Sequence, residues 1–98
     1  MTVGTKTYLN DTGTAIIIDA GEDLSTASLM KIKYLKPSGA SGAWIATIVS
    51  GEPTKTRYIT LSNDLDESGT WKIQLYVEFS TWKGHGEIAS FVVYDPIV

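Results

Sequence analysis

Two stretches of this sequence concentrate side chains capable of chemistry: Trp82-Lys83-Gly84-His85-Gly86-Glu87 and Asp64-Leu65-Asp66-Glu67-Ser68-Gly69. His85 is the single histidine of the chain, and Glu87 follows it by one glycine. One imidazole and one carboxylate are too few for a recognisable metal site, which needs three or four converging ligands. A hydrolytic triad needs an activated Ser or Cys beside a base, yet the chain has no cysteine and no G-x-S-x-G. No glycine-rich phosphate cradle precedes a helix. The inventory points away from an enzyme and calls for no cofactor. The competing reading of His85 is an exposed loop residue in a turn that uses the freedom of Gly84 and Gly86.

The acidic stretch imitates the first half of an EF-hand loop. That pattern requires a bidentate acid at its twelfth position, which is Leu75 here. A helical EF-hand is therefore excluded. A cadherin-like calcium site remains, built from Asp64, Asp66 and Glu67 together with the Asp19-to-Asp23 loop. Against it stands a solvated corner whose carboxylates accept backbone N–H bonds.

Trp82 follows a long apolar pattern and shares its segment with Lys83 and His85. An aromatic in such a loop stacks on a sugar ring or anchors a protein contact. The alternative is that it folds back over the end of the core. Tyr76 and Tyr58 project from wet strand faces, where an aromatic supports a subunit interface. Tyr76, Trp82, Lys83 and His85 are the candidate binding residues.

The elements that must position these groups are strands. Thr70 to Phe79 alternates strictly: Trp71, Ile73, Leu75, Val77 and Phe79 take one parity, polar residues and Tyr76 the other. This is the period of a half-buried strand at the centre of an antiparallel sheet. In chain order the sequence predicts a loose arm over Met1–Gly4, then strands at Lys6–Leu9, Thr14–Asp19, Leu29–Lys36, Ala43–Val49, Thr56–Leu61, Thr70–Phe79 and Glu87–Tyr94. Thr14–Asp19 reads as a buried strand because its β-branched run is nearly continuous. Met30, Ile32 and Tyr34 face inward, with Lys31 and Lys33 to water. Asn10-Asp11-Thr12-Gly13 reads as a turn, in preference to its match with the glycosylation pattern. Ala20–Ser28 is a loop with room for one helical turn near Leu24. Gly51 and Pro53 break the chain over Ser50–Lys55. Ser80–Gly86 is the last loop.

About seven short strands without an amphipathic helix predict an all-β, immunoglobulin-like antiparallel β-sandwich, one domain over residues 1–98. The absence of cysteine excludes disulfides. A net charge of −3 without a basic tract disfavours nucleic acid. No apolar run is longer than that of Ala15–Ile18, which is too short to span a bilayer, and no signal-peptide pattern opens the chain. The expectation is a protein made soluble in the cytoplasm, without membrane insertion.

Asp66-Glu67-Ser68-Gly69-Thr70-Trp71-Lys72-Ile73 resembles the corner that leads into the sixth strand of immunoglobulin domains. Trp71 takes the aromatic position and Ile73 that of the second disulfide cysteine. Asp23-Leu24-Ser25, Lys36-Pro37, Trp44, Asp64-Leu65-Asp66, Gly69-Thr70-Trp71-Lys72 and Trp82-Lys83-Gly84-His85-Gly86-Glu87 together resemble a family of small phage-encoded virion and tail proteins. They are also similar to the immunoglobulin-like N-terminal domain of phage baseplate upper proteins. The resemblance implies a virion location and a structural role in a tail, head-tail junction or capsid surface. It implies contacts with other virion proteins, with self-association, and no catalytic residue. The other function class is a carbohydrate- or receptor-binding module that meets a host-surface glycan through Trp82.

Overall fold

A computed structural model describes residues 6–97. The arm expected over Met1–Gly4 lies outside the described residues. The strands are β1 (Thr7–Tyr8), β2 (Ala15–Asp19), β3 (Leu29–Leu35), β4 (Ser41–Ile45), β5 (Thr47–Val49), β6 (Glu52–Ile59), β7 (Gly69–Glu78) and β8 (Lys83–Tyr94). Among the described residues there is no helix, hence none long and apolar enough to cross a membrane. One sheet runs β1-β8-β7-β3-β4, the other β2-β6-β5. All pairings are antiparallel except β1 with β8, where Thr7 opposes Val93 and Tyr8 opposes Tyr94. The molecule is an immunoglobulin-like β-sandwich.

The alternation in β7 is realised as predicted. Trp71, Ile73, Leu75 and Val77 are buried against the second sheet. Thr70, Lys72, Gln74, Tyr76 and Glu78 line the outer face. The core around Trp71 is aromatic. Its ring stacks on Phe91 at 5.9 Å and on Trp44 at 6.1 Å, and Trp44 lies nearly parallel to Tyr58 at 4.9 Å. Opposite it, Leu24 is fully buried, and its amide donates to the Pro53 carbonyl at 2.9 Å. That segment is a plug without a helical turn.

The corner is realised with indole chemistry. Trp71 Nε1 donates to the Glu67 carbonyl at 2.9 Å, tying the strand to the bend four residues upstream. Lys36 caps the outside of the bend by donating to Asp66 at 2.8 Å, and the Glu67 carboxylate accepts from the Ser38 amide and hydroxyl.

Five expectations need correction. Tyr58, expected on a wet face, packs inward beside Trp44, because it pairs with the buried Ile16. The strand expected over Ala43–Val49 is two, because the chain crosses between sheets at Ala46. Ala46 is buried and donates its amide to Met30. Trp44, Ala46 and Ile48 all point inward on both sides of the crossing, so the alternation does not register it. β6 starts at Glu52, four residues before the expected start. Pro53 is accommodated beside the bulge between Ile48 and Val49, where no ladder N–H is demanded of it. β2 is an edge strand instead of a buried one, and Ile17 is 51% exposed. Finally, β8 begins at Lys83, so the loop expected over Ser80–Gly86 shrinks to a tight hairpin closed by Phe79 N donating to Trp82 O at 2.7 Å.

Candidate functional site

The short hairpin redistributes the candidate binding residues. Gly84 and Gly86 are strand residues without positive φ. A Cβ on Gly84 would stand 2.4 Å from the Trp82 ring, and one on Gly86 would stand 3.8 Å from Leu75 Cβ. Both glycines therefore sit on the inner side of β8, where the neighbouring ring requires the first of them. Lys83 and His85 project from the outer face, opposite Glu78 and Tyr76.

Tyr76, Lys83 and His85 are thus brought together on the outside of the five-stranded sheet. The His85 ring lies 5.0 Å from that of Tyr76. Two further residues complete the group. Lys33 Nζ stands 2.8 Å from His85 Nε2 and 4.9 Å from the Tyr76 ring centre. Glu78 accepts the Tyr76 hydroxyl at 2.8 Å, with Lys83 Nζ 3.9 Å from its other oxygen. The ammonium of Lys33 only donates, so this contact has the imidazole accepting through Nε2. The Tyr76 hydroxyl is held above the ordinary tyrosine range, first by its bond to Glu78 and then by desolvation. Lys33 and Glu78 were legible only as wet-face residues. Their convergence comes from the β3-β7-β8 register. The group is a cluster of hydrogen-bonding and charged side chains on the outer face of the sheet.

Trp82 turns to the inner side of the same hairpin, and of that group His85 also lines the space beside it. It is 49% exposed, packs at 6.0 Å from Phe79, and stands at the mouth of a cleft of about 620 Å³ between the two sheets. One side of the ring packs on Phe79 and Gly84, and the rest is exposed. The cleft floor is Leu24, Ile73, Leu75 and Val77. Ile17 to Glu22 form one wall and Gly86 to Ala89 the other. It exists because β8 carries only Gly86 and Ala89 where larger inward side chains would fill the sandwich. Its ionisable lining residues are Asp19, whose carboxylate accepts the Gly21 amide, with Glu22, His85 and Glu87, and no lysine or arginine lines it.

Both walls are strand edges. β2 ends its sheet, and β1 covers β8 only at Val93 and Tyr94 among the described residues. On β2, Ala20 N donates to Thr54 and Thr60 N donates to Thr14, so the even-numbered residues bond to β6. The intervening amides and carbonyls of Ile17 and Asp19 then point to the open side. Sequence reasoning missed this site. Its one signal was a β-branched run that fits a buried and an edge strand alike.

The candidate calcium residues do not assemble. The Asp64 carboxylate accepts the Tyr58 hydroxyl and the Leu61 amide, Asp66 pairs with Lys36, and Glu67 binds Ser38. Asp19 lies opposite Lys55 at one end of β6, while Asp64 binds beyond Ile59 at the other. That is a separation of roughly 14 Å along the strand. Among the described residues no group of His, Cys, Asp and Glu is placed to hold a metal ion. The desolvated Tyr58 hydroxyl, further held by Asp64, is pushed up to about 12.

The fold defines the chain as an immunoglobulin-like sandwich with one side open among the described residues. No family model matches the sequence, and no curated protein matches it. Among solved structures it is similar to CopC from Methylosinus trichosporium OB3b, with a TM-score of 0.62 over 92% of this chain and 84% of that one. The identity is 14%, so the likeness is one of fold.

Proposed function

We propose that this chain is a non-enzymatic contact module of a phage particle, a component of its tail, head-tail junction or capsid surface. The observation that carries the contact role is the cleft between two strand edges that are open among the described residues, floored by apolar side chains and with Glu22 and Glu87 in its lining. Unpaired edges are a standing template for another chain, and natural sheets normally blunt or cover them. The particle as the setting rests on the sequence resemblance alone. Its mechanism is docking: the sandwich supplies a rigid frame, and contacts at its edges and outer face hold neighbouring subunits. The test is mass spectrometry of particles purified from the host that carries the gene. Recovery of the chain in amounts comparable to the other structural proteins supports the reading. Its absence from intact particles contradicts it.

A second reading is favoured by Trp82. Its half-open indole lines the same cleft as Glu22 and Glu87, and an exposed indole with carboxylates in one cleft suits a sugar ring and its hydroxyls. Saturable binding of a bacterial surface glycan, lost in Trp82→Ala, would select this reading over the first.

A further inference from the structure

We infer that the cleft receives an extended segment of a partner protein, added as a strand along β2, with apolar residues at alternate positions and lysine or arginine at its flanks. This deepens the contact reading and rests on it. Three observations specify the occupant. The Ile17 and Asp19 backbone groups face the open side of β2, so a chain lying there continues the β2-β6-β5 ladder. The strand part of this edge, Ala15–Asp19, is roughly 17 Å long, enough to pair a segment of five or six residues. Alternate side chains of such a strand enter the sandwich, where Ile73, Leu75 and Val77 form an apolar floor. Residues between them turn outward. Among its lining residues, Glu22 and Glu87 are acidic and none is a lysine or arginine, which selects a basic segment over an acidic one, while the Asp19 carboxylate is spent on the Gly21 amide. The space left by Gly86 and Ala89 is what the incoming side chains fill.

The experiment uses the full chain and capped six-residue peptides, read by amide hydrogen exchange and by calorimetric titration. One peptide alternates valine and threonine between two terminal lysines. A second carries glutamates instead of the lysines, and a third has the first composition with its alternation scrambled. The first peptide is expected to bind and to slow exchange at Ile17 and Asp19, with weaker or no binding by the other two. Ile17→Pro removes a donor that points away from β6 and is expected to weaken binding about tenfold, the worth of one backbone hydrogen bond. Its thermal unfolding should stay close to that of the parent. Gly86→Leu fills the cleft from within and is expected to abolish binding in a folded chain.

Binding that leaves Ile17 and Asp19 exchange unchanged overturns the proposal, as does no binding by any peptide. Protection of both amides in the free chain that rises with protein concentration assigns the edge to a second copy and also overturns it. So does protection relieved by deleting residues 1–5. In each of these cases the contact reading survives if the chain is recovered in particles, so the two failures are distinguishable.

Discussion

Gly86 lies over Leu75 so that a Cβ on the glycine would meet the Leu75 Cβ at 3.8 Å, an ordinary contact distance. The position has room for a side chain and negative φ, yet carries none. Filling it should help the isolated fold. Gly86→Val is expected to stabilise the chain by about 1 kcal/mol, since glycine weakens a strand interior and valine suits one. Chemical denaturation measures this. A loss of stability would mean that the wall of the cleft is already packed.

Gly84 is the contrasting case on the same strand. A Cβ there would stand 2.4 Å from the Trp82 ring, so Gly84→Ala must displace the indole from its seat beside Phe79. The exposed ring has room to leave, and the expected cost stays within about 1 kcal/mol. Tryptophan emission should shift to the red, while Trp44 and Trp71 remain buried. An unchanged spectrum would contradict the packing of Trp82 on Gly84.

Trp71 joins the core to the corner. Trp71→Phe keeps an aromatic ring but leaves a void and an unbonded Glu67 carbonyl. The expected destabilisation is about 3 kcal/mol, the sum of lost packing and one hydrogen bond. Urea unfolding monitored by circular dichroism gives the value, and a cost within measurement error would remove Trp71 from its place as the anchor of the fold.

Tyr58 makes stability fall on the alkaline side. Its folded-state pKa is raised to about 12 by desolvation and by Asp64. A group raised in the folded state contributes fully below its unfolded value near 10, and that contribution is lost as pH rises through the folded value. Lys36 and Lys55 are raised as well, by bonds to Asp66 and Glu52. They share the same direction of loss, so Tyr58→Phe is the discriminating variant. It should flatten part of the decline in melting temperature between pH 10 and about 12. Of the five tyrosines, Tyr58 should ionise late by carbon-13 NMR. Ionisation near pH 10 would contradict its burial.

The sandwich was legible because β7 announces itself: ten residues of strict alternation admit one face inward and one out. The corner was legible for the same local reason, with an acid, small residues and an aromatic in order. The site was not. Gly84 and Gly86 look like turn residues in sequence, whereas in space they are places where Trp82 and Leu75 approach the strand. Ile17 belongs to an apolar run whose edge position depends on which strands pair, a non-local outcome. The crossing at Ala46 preserves parity and so leaves no trace in the pattern. The acidic corner resembled a calcium loop because side-chain partners such as Lys36, Ser38 and Tyr58 come from elsewhere in the chain.

The most direct test of contact through the cleft is photo-cross-linking in cells that make the full chain, with the reactive group placed at Ala89 on the inner wall. The same group at Leu61, exposed beyond β6, is the control. The account predicts a discrete adduct from position 89 to a partner segment with alternating apolar residues, and none from position 61. Adducts from position 61 alone, with position 89 unreacted, would contradict it.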